Sequence, residues 1–240
     1  MQVALLRVGI DSGSGGIQGP LLADGTFEYI PIPDEFGGKG VNLKTYGNTR
    51  GRSGRTFSEY FPERRRETYR NRPIHDDPEF NTFTYGDPTP PKRGLRHLNP
   101  GDLLVFYAGL EKWPAGGEPG LYIVGFFEVV LAALAKDLTR DELGKLFSRN
   151  FHVRHKDVFR SQKSRLVLVK GGRGSRLLGK ATLISSKGTD RNGKPLKVLS
   201  PRMQRIFGDF GGHTSIQRSP TRWVAPELVD VAAEFVRSLS

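Results

Sequence analysis

Two carboxylates lie where the sequence pattern places strand ends and loops, and both could do acid–base or nucleophilic chemistry. Asp11 directly follows the apolar run 3–10, and Asp77 follows His75 in a loop-rich segment. Binding and catalytic side chains gather at such positions on a rigid scaffold. Two carboxylates that share one pocket raise the pKa of one of them, which suits a general base. The sequence therefore predicts Asp11 and Asp77 as catalytic residues. For Asp11 the alternative is an Asx turn that bonds its own loop.

The glycine-rich turn 11–16 is a possible anion site, since backbone amides in such a turn can point at a phosphate. It does not match the pattern G-x-x-x-x-G-K-[ST], and no helix pattern follows Gly16 as a dinucleotide fingerprint requires. The motifs G-x-S-x-G, H-E-x-x-H and S-x-x-K are also missing from the sequence. Hydrolase chemistry of these classes is therefore not supported.

The histidines show no metal-ligand spacing. His75 and Asp77 could supply ligands, but no partner accompanies them at a suitable distance along the chain. His152 and His155 are three residues apart in a strand-like stretch, where they would face opposite sides. The chain has no cysteine, which excludes thiolate catalysis, zinc fingers, iron–sulfur clusters and disulfides. The sequence predicts no metal site and no cofactor.

The charge balance points to a polyanionic partner. The chain of 240 residues carries 37 Lys and Arg against 25 acids, a formal net charge of +12, and 24 of the 37 cations are Arg. Between Lys44 and Arg72 nine cations interleave with aromatic rings and only three acids. Guanidinium groups suit phosphates and flat rings suit stacked bases, whereas a solvated charged surface is the usual alternative. The predicted phosphate-binding residues are Arg52, Arg55, Arg64, Arg65 and Arg66.

The coarse pattern predicts one α+β domain with peripheral helices and long ordered loops. Apolar runs predict strands at 3–10, 27–33, 103–110, 121–130, 165–170 and 223–224, and 175–185 has the pattern of a helix or bent segment. Helices are expected at 57–68, from the capping box at Thr139 to Phe147, and after Pro226. The apolar face of this last helix is predicted as Leu228, Val231, Ala232, Phe235 and Leu239. Residues 37–97 form a long basic insert within a single domain 1–240.

No targeting or membrane segment is visible in the sequence. Residues 1–7 lack the pattern of a signal peptide, and the apolar stretch 121–134 is interrupted by Gly125 and Glu128. We therefore expect a cytoplasmic protein with no membrane partner. The oligomeric state is left open.

Residues 98–107 followed by 121–129 resemble the core of PUA-like domains of the EVE and ASCH groups, in which a Gly-Asp turn precedes a strand of a small curved barrel. More of the chain is similar to the nucleotide modification associated domain 3 family. The matching pieces keep the same order: 7–13, 27–33, 77–80, 85–87, the strand after Gly101-Asp102, 215–218 and 222–223.

The resemblance implies a PUA-like curved mixed sheet or barrel and a role in DNA or RNA base-modification systems. PUA-like relatives hold a modified base in an aromatic pocket ringed by basic loops, for which Tyr107, Trp113 and Tyr122 are the nearest candidates here. Polar groups at predicted strand ends and loops complete the expected pocket: Ser12, Tyr85, Arg218 and Trp223. Around Trp223 the segment 213–223 either reads a base edge or is a loop anchored by a core tryptophan.

Three functions follow from these expectations. The first is a nucleic-acid-binding protein that recognises or processes a modified base. The second is an enzyme that acts directly on a nucleotide or modified base, with Asp11 or Asp77 as general base or nucleophile. The third is a basic assembly protein that binds an acidic partner.

Overall fold

The computed structural model describes residues 1–35, 43–190, 192–217 and 220–240. Its strands are β1 Val3–Arg7, β2 Gly19–Leu21, β3 Ile32–Pro33, β4 Ile74–His75, β5 Thr84–Asp87, β6 Leu103–Lys112, β7 Gly120–Leu134, β8 Val167–Gly171, β9 Arg176–Leu183, β10 Ser185–Thr189, β11 Pro195–Leu199 and β12 Arg222–Trp223. The α-helices are α1 Glu63–Arg70, α2 Arg140–Phe147, α3 Phe151–Arg154, α4 Lys156–Gln162, α5 Pro201–Phe207 and α6 Val229–Ser238. Three 3-10 helices span Phe57–Tyr60, Pro90–His97 and Pro226–Leu228.

A mixed sheet of eight strands carries the fold. Its order is β12-β1-β6-β7-β8-β5, with β2 also beside β6 and β9 also beside β7. The pairs β1–β6 and β2–β6 are parallel, and the other pairs are antiparallel. β6 and β7 occupy the centre because their sequences are almost continuously apolar and their side chains are buried on both faces. β6 pairs with β1, β2 and β7, and β7 pairs with β6, β8 and β9; each of the three ladders of β7 contains a register shift.

The α+β class is confirmed, but a closed barrel is not. Within the part of the chain that the structure describes, β12 and β5 end the strand order and do not pair with each other. The sheet therefore stays open, and its two small companions are the hairpin β10–β11 and the pair β3–β4.

Three apolar clusters hold the elements together. The largest surrounds the sheet and contains the ring pair Phe106–Phe127 at 4.6 Å. The second includes Ile10, Tyr46 and Phe61, so it ties the segment before β4 to the end of β1. The third lies under α2 and centres on Phe147. The second cluster matters for function, because it fixes β4 beside the glycine-rich turn.

Several local predictions are confirmed and several are wrong. The capping box of Thr139 and Glu142 starts α2 as expected. The segment 175–185, for which a helix or bent segment was predicted, contains the strand β9 and no helix. The predicted helix 57–68 is split into a 3-10 helix and α1, because Pro62 between them has no amide hydrogen to donate.

Four of the five positions predicted for the apolar face of the last helix do pack on the core: Ala232 is buried, and Leu228, Phe235 and Leu239 are partly buried against it. Val231 is 49% exposed, whereas the buried side chains of α6 are Val229, Ala232, Ala233 and Val236. The chain begins this element as a 3-10 turn with about three residues per turn, which rotates the later α-helical face relative to a uniform helix.

None of the helices in the described residues is both long enough and apolar enough to cross a bilayer.

Candidate functional site

A cavity of about 460 Å³, lined by charged, polar and apolar residues, opens where β1 ends and where β4 and β5 pass beside it. Two predicted catalytic residues, Asp11 and Asp77, line this cavity together with the predicted pocket residue Tyr85. Its full lining is Arg7, Val8, Gly9, Asp11, Ser14, Ile32, His75, Asp77, Tyr85, Gly86, Asp87, Thr89, Lys92 and Gln217. Distant segments of the sequence thus meet at one concave surface, which is the usual form of a ligand site.

Asp77 is the most deeply buried carboxylate of the cavity, with its side chain 3% exposed. Its Oδ2 accepts a hydrogen bond from the Gly86 amide at 2.8 Å and lies 3.4 Å from His152 Nε2. Its Oδ1 is also buried and has no hydrogen-bond partner among the described residues. Burial raises the pKa of Asp77 to about 7, against the opposing effect of the His152 contact.

His152 lies on α3 and is held from three sides. The Asn150 side chain caps α3 by accepting from the His152 amide at 3.1 Å. His152 Nδ1 contacts Gln162 Oε1 at 2.7 Å, and the imidazole is 1% exposed. Burial opposes a positive charge on the ring, but the hydrogen bond and charge of Asp77 together with the Gln162 contact outweigh it and raise the pKa of His152.

His75, at the end of β4, completes the cluster. Its Nε2 lies 3.2 Å from His152 Nε2, and its ring stacks on Phe151 at 3.9 Å. Burial, with smaller contributions from His152 and Arg154, lowers the pKa of His75 well below its usual range. The ligand atoms of His75, Asp77 and His152 all lie within 4.8 Å of one another, so these three residues could hold a metal ion.

Sequence reasoning missed this cluster for two reasons. His75 and His152 are 77 positions apart, so no short spacing connects them. The stretch that contains His152 was expected to be a strand, but it is the short helix α3, which begins at its Asn150 cap. An Asn directly before an aromatic residue was the one local signal for a helix start.

Asp11 has the geometry of the alternative proposed for it, an Asx turn. Its Oδ1 accepts from the amides of Gly13 and Ser14 at 2.9 and 2.8 Å and from the Ser14 hydroxyl at 3.0 Å. Its Oδ2 forms an ion pair with Arg7 at 3.0 Å. The amides of Gly15 and Gly16 donate to the Asp11 carbonyl. The turn thus uses its own amide donors, and they do not form a phosphate cradle.

Another wall of the cavity combines Tyr85, Asp87 and Lys92. The Tyr85 hydroxyl donates to Asp87 Oδ2 at 2.9 Å, and the Thr89 amide donates to Asp87 Oδ1 at 2.7 Å. Burial lowers the pKa of Lys92, while the charge of Asp87 opposes that change. This wall offers a phenol, a carboxylate and an amine to a ligand.

The other predicted pocket residues do not gather at the cavity. Tyr107 is fully buried in the sheet, where its hydroxyl donates to the Ile216 carbonyl at 2.9 Å. Trp113 packs on Tyr60 in the second cluster, and Trp223 lines a separate cavity beside Phe207. Tyr122 is half-buried on β7. Ser12 is exposed in a neighbouring cavity that shares Asp11, and Arg218 lies outside the described residues.

The five predicted phosphate-binding arginines separate into two groups. Arg52 is anchored by the carbonyls of Leu177 and Leu178, and Arg55 lies over the Trp113 ring and pairs with Glu59 at 3.8 Å. The other three belong to α1, a helix without buried residues, where Arg64 and Arg66 are exposed and Arg65 Nη1 donates to the Gly16 carbonyl at 3.1 Å.

The interleaved aromatic rings of the basic segment are not exposed stacking surfaces. Tyr46, Phe57 and Tyr60 are buried in the second apolar cluster, and Tyr69 stacks on Phe61 at 4.3 Å. Composition could not separate a stacking platform from a small core, because both need the same rings near the same cations. The expectation of base stacking by these rings is therefore wrong.

The chain belongs to the nucleotide modification associated domain 3 family, whose sequence model matches residues 2–238. This confirms the family resemblance and associates the domain with nucleotide modification systems. No curated protein and no solved structure matches the chain. The PUA-like resemblance therefore stays a prediction.

We expect Gly86→Ala to disturb the cluster, because a Cβ at this position would lie 2.8 Å from His152 Cδ2 and 3.1 Å from Asn150 Oδ1. The free energy of unfolding should fall by about 1–3 kcal/mol. Gly144→Ala in α2 is the matched control, because nothing lies within 4 Å of its Cβ position. That variant should gain up to about 1 kcal/mol from helix propensity. Urea unfolding of both variants checks this, and equal effects would contradict the packing assigned to Gly86.

Proposed function

We propose that this protein takes a nucleotide base of a nucleic acid into the 460 Å³ cavity and recognises or processes it there. The observation that carries the proposal is the convergence of buried polar side chains on one concave site in a domain associated with nucleotide modification. Proteins that act on a base commonly move it out of the stack into a pocket that reads its hydrogen-bonding edge. The cavity is within the size range of small-molecule sites.

The lining supports reading of a base edge. Asp87 accepts hydrogen bonds, Lys92 donates them, and the Tyr85 hydroxyl and the Gln217 amide can do both. Val8 and Ile32 add apolar surface to the same cavity. A site with buried polar groups discriminates strongly, because a ligand that lacks the matching group leaves them unpaired.

The position of helix α1 is an argument for contact between this protein and the phosphate backbone of a nucleic acid. Arg65 joins α1 to the glycine-rich turn, and Asp11 and Ser14 of that turn line the cavity. Arg64 and Arg66 are exposed on the same helix. A strand whose base occupies the cavity would therefore pass beside a cationic helix in a chain with a net charge of +12.

A second candidate, an enzyme that modifies the bound nucleotide, is favoured by the Asp77–His152–Gln162 chain beside the cavity. These side chains are linked at 3.4 and 2.7 Å and are almost fully buried. Buried chains of this kind position a reacting group firmly. In such an enzyme Asp77 contacts the reacting atoms of the nucleotide, whereas Gln162 only orients the His152 ring.

The variants Tyr85→Phe and Asp87→Asn should each weaken binding of the base. Tyr85→Phe removes the hydroxyl of a buried side chain, and Asp87→Asn removes a negative charge from the cavity. We expect each change to lower the affinity about tenfold. The measurement is a competition assay in which nucleosides from digested DNA and RNA, identified by mass spectrometry, displace a labelled oligonucleotide. Tyr122→Phe is the matched control, because Tyr122 is half-buried outside the cavity. A loss as large in Tyr122→Phe as in Tyr85→Phe would reject the cavity as the site.

The double variant Arg64→Gln/Arg66→Gln should reduce the salt dependence of nucleic-acid binding. Each lost phosphate contact lowers the slope of log K against log salt by about 0.9 for duplex DNA. Titrations of single-stranded and duplex oligonucleotides over a salt series give the slope. Arg202→Gln/Arg205→Gln on α5 removes two exposed cations of another helix and should leave the slope unchanged. No binding of any nucleic acid at low salt would instead support an acidic protein partner.

Asp77→Asn separates recognition from catalysis. Mass spectrometry of nucleosides after incubation of oligonucleotides with the wild-type protein should show an altered base if the protein is an enzyme. The variant keeps the size of the side chain, so it should still bind oligonucleotide while the altered base disappears. An altered base at an undiminished rate in Asp77→Asn would rule out a catalytic role for this residue.

A further inference from the structure

We propose that His75, Asp77 and His152 bind one divalent transition-metal ion beside the cavity. Metal binding is inferred from the geometry of the three side chains alone. Only the role of the ion, contact with a base in the cavity, rests on the proposed function.

The spacing of the ligand atoms fits an ion at their centre. His75 Nε2 and His152 Nε2 are 3.2 Å apart, and His152 Nε2 and Asp77 Oδ2 are 3.4 Å apart. Zinc bound tetrahedrally to nitrogen and oxygen at about 2.0–2.2 Å has neighbouring ligand atoms roughly 3.3–3.5 Å apart. The two measured edges thus match those of a metal-binding polyhedron, and the third pair lies within 4.8 Å.

The hydrogen-bonding pattern of His152 creates a place for a cation. Gln162 Oε1 only accepts hydrogen bonds, so the contact at 2.7 Å puts a hydrogen on His152 Nδ1. On a neutral ring Nε2 then carries a lone pair, and both Asp77 Oδ2 at 3.4 Å and His75 Nε2 at 3.2 Å lie close to it. His152 Nε2 and Asp77 Oδ2 are then two acceptors 3.4 Å apart. A positive ion coordinated by both atoms would remove the repulsion between them. A proton on Nε2 is the alternative cation, and the experiment below decides between the two.

The second oxygen of Asp77 is an independent sign of a missing partner. Asp77 Oδ1 is buried and accepts no hydrogen bond within the described residues. A buried, unsatisfied carboxylate oxygen is costly, and an ion is one of the standard explanations for it. An ion coordinated by both carboxylate oxygens would give Oδ1 the partner that it lacks.

The surroundings match the outer shell of a metal site. His152 Nδ1 is bound by Gln162, and Asp77 Oδ2 receives the Gly86 amide. The His75 ring stacks on Phe151, the residue that precedes His152 in α3. Such contacts fix the tautomer and orientation of metal ligands. Arg154 is a cation near the cluster, since its guanidinium lies over the Phe151 ring. An ion pair with Glu79 at 3.5 Å offsets its positive charge.

The ligand set indicates the class of ion. Two imidazoles and one carboxylate without thiolate favour Zn²⁺, Fe²⁺, Mn²⁺ or Co²⁺ over Mg²⁺ and Ca²⁺, which prefer oxygen ligands. Three protein ligands leave a coordination position for water or substrate, as in catalytic metal sites. Because His75 and Asp77 line the cavity, that position is accessible from it.

Titration of the chelator-treated full-length protein with Co²⁺, followed by competition with Zn²⁺, tests the proposal. We expect one equivalent of Co²⁺ to bind with the visible absorption of a protein-coordinated ion. His75→Gln and Asp77→Asn should each lower the affinity by more than about 100-fold, and Gln162→Leu by about 10–100-fold, the cost typical of a lost outer-shell contact. His155→Gln is the matched control, since His155 lies in the same segment but outside the cluster, and it should bind like the wild type.

The absence of stoichiometric metal binding by the folded wild-type protein would overturn the proposal and leave a protonated His152 as the cation of the cluster. Equal affinity in His75→Gln and His155→Gln, with circular dichroism showing both folded, would overturn it as well. Oligonucleotide binding is measured on the same samples. Metal binding without oligonucleotide binding would reject the proposed function alone, and the reverse result would reject the metal site alone.

Discussion

Burial of the Asp77 carboxylate beside His152 is the constraint on which the organisation of the site depends. A carboxylate removed from water needs hydrogen-bond donors or positive charge around it. The Gly86 amide supplies a donor and His152 supplies the ring, but His152 can do so only while Asn150 and Gln162 hold it. The polar contacts of one buried carboxylate therefore join β5, α3 and α4, and they explain why position 86 has no side chain.

The apolar framework makes these contacts possible by fixing the strands that carry them. β5 pairs with β8 through Thr84–Asp87, and β8 pairs with β7, the longest strand of the sheet. On the other side of the cavity, β1 is held by β6 in a parallel register. Ile74 belongs to the second apolar cluster, so packing of the basic segment also fixes the adjacent His75. Each wall of the cavity is thus attached to a different part of the core.

The sequence predicted those features that depend on local pattern. The apolar runs of β6 and β7 and the capping box of α2 were found because each signal lies within a few residues of its consequence. Asp77 and Tyr85 were predicted as site residues by their polarity at loop and strand positions, and both line the same cavity. The cluster of His75, Asp77 and His152 was not found, because α3 has only four residues, too few for a helical period, and because tertiary contacts alone bring His152 to His75. Tyr107 was assigned to the base pocket although it is a core residue, since the sequence does not show which rings the fold encloses.

The distribution of arginine refines what a high net charge means for binding. The Arg52 guanidinium donates hydrogen bonds to two carbonyls of β9. It therefore stabilises the fold and has few donors left for a phosphate. Arg64 and Arg66 are exposed on α1, which has no buried residues, although Arg66 Nη2 also donates to the Glu59 carbonyl at 3.3 Å. Arg65 connects that helix to the turn closed by Asp11, and the turn borders the cavity that contains Asp77. Part of the exposed positive charge therefore lies on the helix that the fold attaches to the cavity, so a phosphate bound there would bring the neighbouring base towards the buried polar groups.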